Sequence, residues 1–233
     1  MARLPRLCLP GMPLHVIQRG TNRQACFASE EDFAAYAHWL HESAQKSRVS
    51  IHAWVFKTNH VHLLVTPQTT DGVSRMMQML GRHYVRYFIY TYQRTGTLWE
   101  GRFKSCVVDA ETYLLICQRY IELNPIRAGM VESPCDYQWS SYRSNGMGKP
   151  ASLWTPHEVY QSLGATTEAR AKAYQLLFSA HMDMEENLLT QIRNSSNTGM
   201  ALGNDKFKQE IETLTGRRVT PKKRGPKSRT EYD

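Results

Sequence analysis

The chain lacks a long apolar run and any ordered cysteine pattern. Its five cysteines, Cys8, Cys26, Cys106, Cys117 and Cys135, are odd in number, widely spaced and without a CxxC pair. That argues against a disulfide framework or a zinc knuckle and predicts buried free thiols. The longest clean apolar stretch, near Tyr113 to Cys117, is far short of the ~20 residues that span a bilayer, and the N-terminus has no signal-peptide h-region. The expected setting is the cytoplasm, with no membrane partner. No internal repeat is present.

What is present fits a globular protein: 41% hydrophobic and 21% charged residues are too apolar for a fully disordered chain, so a packed core is expected. At 233 residues the chain exceeds the usual ~100 to 150 of a single domain, which favours one core plus a small appendage. The formal net charge is +8, and +5 of it lies in the C-terminal tail, where Arg217, Arg218, Lys222, Lys223, Arg224, Lys227 and Arg229 meet only Glu231 and Asp233. Such a tail neutralises phosphates without reading bases, which raises affinity for nucleic acid and makes it salt-dependent. A merely solubilising tail is the alternative.

Hydrophobic periodicity places a strand over Leu14 to Arg19, ending at Gly20. A helix follows over Glu30 to Lys46, capped by Ser29, with apolar positions at Phe33, Ala37, Leu40 and Ala44. Ser50 to Phe56 and Val61 to Thr66 are β-rich runs split by Lys57, Thr58 and Asn59, which reads as an antiparallel hairpin at the sheet centre. A long amphipathic helix is expected from Val73 to about Tyr92, closed by Gly96. Leu98 to Asp109 reads as extended, and a helix from Glu111 to about Asn124 is ended by Pro125. The order β, α, β, β, α, β, α predicts an α+β fold, a ferredoxin-like sandwich with a central antiparallel sheet. One face of that sheet is covered by helices and the other is free to face a ligand.

After the turn formers of Asn145 to Ser152, strand signals cease and helical patterns follow over Thr155 to Leu163, Glu168 to Ala180, Met184 to Arg193 and Asn204 to Thr215. The expected organisation is a main domain over 1–150, a small helical accessory region over 151–215 and a basic, flexible tail over 216–233.

The sharpest local signal is Asn59-His60-Val61-His62-Leu63-Leu64-Val65. On a strand, alternate side chains share a face, so His60 and His62 project together and offer two imidazoles to one metal ion. Alone, an H-x-H is weak, because paired strand histidines also arise by chance. A partner exists in Tyr120-Ile121-Glu122-Leu123-Asn124-Pro125. Four residues apart on a helix, Tyr120 and Asn124 lie about 40° apart in rotation and ~6 Å in rise, so a phenol and an amide oxygen can reach one site. The competing reading is a core tyrosine and a helix-ending asparagine.

The combination resembles the HUH superfamily and, more closely, the REP-associated tyrosine transposases. The resemblance rests on Gln18-Arg19-Gly20-Thr21-Asn22-Arg23-Gln24, Asn59-His60-Val61-His62, Leu98-Trp99-Glu100-Gly101-Arg102-Phe103-Lys104, and Arg119-Tyr120-Ile121-Glu122-Leu123-Asn124-Pro125-Ile126-Arg127-Ala128-Gly129. It covers roughly residues 10 to 145. It implies an HUH domain in which His60, His62 and Asn124 hold a divalent ion, Mg2+ or Mn2+, and Tyr120 attacks the scissile phosphate of single-stranded or hairpin DNA. Tyr113, two turns earlier on a similar face, is the one competing nucleophile.

A tyrosine hydroxyl, with a pKa of ~10, is a poor nucleophile until a nearby cation favours its phenolate or stabilises the transition state. Attack releases a 3′-hydroxyl and leaves a 5′-phosphotyrosine whose energy allows rejoining. Two imidazoles and an amide favour manganese over magnesium on ligand softness, although cellular abundance favours magnesium. Candidates for phosphate contact are Arg19, Asn22, Arg23, Arg82, Arg86, Arg102 and Lys104, with Arg218, Lys222, Lys223 and Arg224 in the tail, and Trp99 for base stacking. Monomer and homodimer both fit. A non-catalytic DNA-binding regulator is the alternative function. An H-x-H phosphoesterase is disfavoured because no second H-x-[S/T] element occurs.

Overall fold

The computed structural model describes residues 6–179 and 186–220. Strand β1 (Leu14–Arg19) leads into helix α1 (Glu30–Ser47), strands β2 (Val49–Lys57) and β3 (His60–Pro67), helix α2 (Gly72–Tyr92) and strand β4 (Lys104–Val107). The sheet order is β2-β3-β1-β4, all antiparallel, which is the ferredoxin-like arrangement expected. Its centre differs from expectation: β3 and β1 are central, and β2 is an edge. Of the stretch expected to be extended, only Lys104–Val107 pairs as a strand.

α1 starts at a capping box in which Ser29 and Asp32 satisfy each other's backbone amides. Asp32 also accepts from the hydroxyls of Tyr87 (2.9 Å) and Tyr92 (2.8 Å), fastening α1 to α2. Both helices cover one sheet face, where Leu14, Val16, Val61, Leu63 and Val65 meet Tyr36, Leu40, Met76, Leu80 and Tyr84. Strand alternation sends His15, Ile17, Arg19, His60 and His62 to the other face.

That second face is also covered, contrary to the expectation of an open one. Helix α3 (Ala110–Glu122), capped by Asp109, packs over β2 and β3. The short helix α4 (Asn124–Arg127) follows it directly. The 4-residue helices α5 (Tyr142–Asn145) and α6 (Glu158–Gln161) precede α7 (Thr167–Ser179), α8 (Glu186–Thr198) and α9 (Asp205–Thr215). Of the helix expected over Thr155 to Leu163, one turn forms; the expected start at Met184 lies outside the described residues. Tyr160, Tyr174, Phe178, Leu189 and Ile192 share one core with Leu64, Cys106 and Leu114, so the region after residue 150 builds on the sheet rather than on a core of its own.

Both sheet edges are closed. The backbone around Trp139 and Ser141 pairs with β2 (Phe56 N to Trp139 O, 2.9 Å; Ser141 N to Trp54 O, 3.0 Å), and Leu202 pairs beside β4 (Leu202 N to Val107 O, 2.8 Å). Covering an edge in this way removes a template for unwanted strand pairing. The five cysteines are free thiols. Among the described residues no helix is long and apolar enough to cross a membrane.

Candidate active site

The chemistry-bearing residues meet where the second face runs out of cover. A cavity of 340 Å³ there is lined by Ile17 and Arg19 of β1, Lys57 of β2, His60 and His62 of β3, Lys104 of β4, Tyr120 of α3, Asn124 and Arg127 of α4, and Arg193 and Asn197 of α8, with Glu100, Arg102 and Ala128 at its rim. Tyr120 is the only tyrosine lining it among the described residues. Tyr113 packs instead against the second core.

Tyr120 and Asn124 come together by a route other than one continuous helix. α3 stops at Glu122, two residues earlier than expected, because Pro125 has no N–H to give the Ile121 carbonyl and its ring crowds that turn. The chain then restarts with Pro125 in the first turn of α4, where its missing N–H costs nothing. Leu123 keeps αR geometry between the two (φ −78, ψ −4), so the one-turn spacing of phenol and amide survives the break.

The two imidazoles meet at 5.1 Å between ring centroids, and the Tyr120 ring lies edge-on to His62 at 5.9 Å. His60 has its outer nitrogen fixed by Asn59. Asn59 Nδ2 donates to Arg23 O at 3.0 Å, which orients the amide and leaves Oδ1, an acceptor only, at 2.6 Å from His60 Nδ1. His60 Nδ1 therefore carries the proton, and the lone pair falls on Nε2. Burial, with the charges of Lys57 and Arg19 adding to it, pushes His60 down to about 4, while a hydrogen bond to Asn124 opposes the shift. Burial, then the neighbouring His15 and His60, holds His62 well below its ordinary value. Both imidazoles are thus neutral near pH 7, as ligation requires.

Burial raises the Tyr120 hydroxyl, opposed by the guanidinium groups of Arg127 and Arg193. Arg127 also lies over the Tyr120 ring, 4.7 Å from its centroid, and donates to the Tyr120 carbonyl. Lys57 Nζ donates to Asn124 Oδ1 at 3.3 Å. Lys104 Nζ donates to Asn197 Oδ1 at 3.0 Å. The lining is therefore cationic around a buried phenol, an arrangement suited to a phosphodiester. A second cavity of 280 Å³ shares Arg102, Lys104 and Asn197 and adds Arg6 and Arg217, which extends the basic surface.

Other expected contacts fall elsewhere. Trp99 is buried between Tyr84 and Tyr36 in the first core, so it anchors the approach to β4 and presents no free face to a base. Arg82 and Arg86 are exposed on α2, which covers the opposite sheet face, and neither lines the cavity. Asn22 and Arg23 are exposed in a tight turn with positive φ (52° and 59°); their loop acts on the site through Asn59. Arg218 is exposed and donates to Thr220 O. Lys222, Lys223 and Arg224 lie outside the described residues.

Reading along the chain missed Lys57, Arg127, Arg193 and Asn197. Two of them carried a usable signal: Lys57 stands opposite His60 in the hairpin register, and Arg127 lies three residues beyond Asn124. Among the described residues no cluster of three His, Cys, Asp or Glu side chains is arranged to hold a metal. A set of two neutral imidazoles and the amide oxygen of Asn124 fits a divalent ion with open positions.

No curated protein matches the sequence. Solved structures do, two of them transposases by description. One, a REP-associated tyrosine transposase bound to a REP hairpin, is 19% identical with a TM-score of 0.53, covering 67% of this chain and 93% of that one. The other, a transposase candidate from Deinococcus radiodurans, is 23% identical with a TM-score of 0.37, covering 52% and 96%. The first supports the fold described above. The family described as "Transposase IS200 like" matches residues 8–124, a stretch that runs from the lead-in to β1 through His60, His62 and Tyr120 to Asn124. By that match the chain belongs to the IS200-like transposase family.

Proposed function

We propose that this transposase is a metal-dependent single-strand DNA endonuclease and strand transferase that cuts hairpin DNA of the REP type through a 5′-phosphotyrosine link. The observation that carries the reading is the convergence of Tyr120, His60, His62 and Asn124 on one cationic cavity. The REP hairpin bound by a similarly folded transposase supports a stem-loop substrate. Arg19, Lys57, Arg102 and Lys104, which line the cavity, would take phosphates leading into and out of it.

In the reaction, Tyr120 Oη forms a bond to phosphorus as the bond to the 3′-oxygen breaks. The phenolic proton leaves to water, and the departing 3′-oxygen takes one up. Arg127 and Arg193 favour the developing phenolate by their charge. His60, His62 and Asn124 would hold Mg2+ or Mn2+, which supplies polarisation of the non-bridging phosphate oxygens. Because the phosphodiester energy is kept in the protein–DNA link, a second 3′-hydroxyl can reverse the step and rejoin a strand.

The test is to incubate the full chain with single-stranded hairpin DNA and Mn2+ and resolve the products under denaturing conditions. A covalent adduct is expected from the wild type and from Tyr113→Phe, and none from Tyr120→Phe. An adduct that persists in Tyr120→Phe would overturn the nucleophile; DNA binding with no adduct in any variant would favour a non-catalytic DNA-binding protein.

A further inference from the structure

The active-site face holds a third histidine that the proposed chemistry does not use. His15 on β1 is fully buried, with Nε2 at 2.9 Å from His62 Nδ1 and Nδ1 at 2.8 Å from Ser196 Oγ on α8. The rings of His15 and His62 lie within 19° of coplanar with centroids 5.1 Å apart, as an in-plane N–H···N contact requires. Neither nitrogen of His15 is left to bind a metal.

The direction of this chain of hydrogen bonds follows from its far end. Ser196 Oγ lies 2.8 Å from Ile192 O, a carbonyl that only accepts, so the single hydroxyl proton is committed there. Towards His15, Ser196 must then accept, which puts a proton on His15 Nδ1. A fully buried imidazole with no carboxylate partner is neutral, so His15 Nε2 carries the lone pair. His62 Nδ1 must donate to it, and the His62 lone pair falls on Nε2. Reversing the order would put the proton on His62 Nε2 and block it as a ligand.

We infer that Ser196, acting through His15, positions His62 as the tautomer able to bind a metal, so that helix α8 is part of the catalytic site. Its dependence on the proposed function is limited to the metal itself. Two further residues on the same face of α8 support it. Arg193, three residues before Ser196, lines the cavity beside Tyr120, and Asn197 accepts from Lys104 at 3.0 Å. This helix lies outside residues 8–124 that match the family, and Ser196 is 181 residues from His15. Partners that orient a metal-binding histidine are typically worth ~10- to 100-fold in metal affinity.

The experiment compares wild type, Ser196→Ala and Ser196→Thr by two readouts. In the metal-free protein, nitrogen-15 NMR of the imidazole rings should show His62 protonated at Nδ1 in the wild type. It should show a shift toward Nε2 protonation in Ser196→Ala, with the hydroxyl of Ser196→Thr restoring the first pattern. Mn2+ titration followed by electron paramagnetic resonance should show affinity falling about 10- to 100-fold in Ser196→Ala, with the melting temperature checked alongside. A wild-type His62 protonated at Nε2 overturns the inference whether or not the variants fold. So does a folded Ser196→Ala with unchanged tautomer and unchanged Mn2+ affinity. Should the wild type bind no Mn2+, the metal reading fails by itself, and the tautomer measurement still decides the role of Ser196.

Discussion

Glu122 sits between Tyr120 and Asn124 and is fully buried. Its carboxyl accepts from Ser141 Oγ at 2.5 Å, Asn145 Nδ2 at 2.7 Å and the Tyr174 hydroxyl at 2.7 Å, tying the end of α3 to α5 and α7. Burial pushes its pKa from an ordinary 4.5 up to about 7, against the three hydrogen bonds. Folding therefore tightens proton binding at this group. Its contribution is greatest in acid, where folded and unfolded chains both hold the proton. That contribution is lost as pH rises through 4.5 to about 7. At ~1.4 kcal/mol per pH unit the loss is about 3 kcal/mol. In Glu122→Gln the amide oxygen still accepts from Ser141 and Asn145, and its NH2 can donate to the Tyr174 oxygen, so the packing is kept and the titration removed.

Urea unfolding followed by circular dichroism from about pH 5 to 8 measures this directly, because subtracting the variant cancels the histidines that titrate in the same window. The variant should gain on the wild type with rising pH by about 3 kcal/mol. Parallel stability curves would refute the reasoning, since they would mean the carboxyl is ionised throughout. Glu122→Ala should be costly at every pH. It leaves the Tyr174 hydroxyl and one N–H of Asn145 buried without an acceptor, each worth ~1–3 kcal/mol, while Ser141 Oγ keeps Trp54 O and Asn145 keeps His52 O.

Two further expectations follow from the loops around the site. Lys57→Met should weaken single-strand binding and lower the slope of log affinity against log salt by about 0.7, the value for one phosphate contact; an unchanged slope in a filter-binding or anisotropy series would remove Lys57 from the phosphate path. At Gly20 a Cβ would fall 2.3 Å from the Gln24 carbonyl oxygen, so Gly20→Ala should displace the turn that holds Asn59 and cost about 1–3 kcal/mol. A melting temperature equal to that of the wild type would show that the turn yields freely.

The sequence by itself determined what depends on short spacing. A two-residue period put His60 and His62 on one face, a one-turn spacing put Tyr120 near Asn124, and the alternation of strands and helices specified a four-stranded α+β sheet. These follow from covalent geometry, which acts within a few residues. Trp99 shows the limit: its place in a basic, glycine-containing block pointed to an exposed stacking surface, yet burying its ring against Tyr36 and Tyr84 is worth more than leaving it in water. Only the tertiary structure decided that β2 is an edge closed by the Trp139 segment, and that α3 and α8 cover the second face. It alone brings Arg193, Ser196 and His15 to the site. Those contacts join residues far apart in the chain, where no local period exists and the burial of matching surfaces selects the partner.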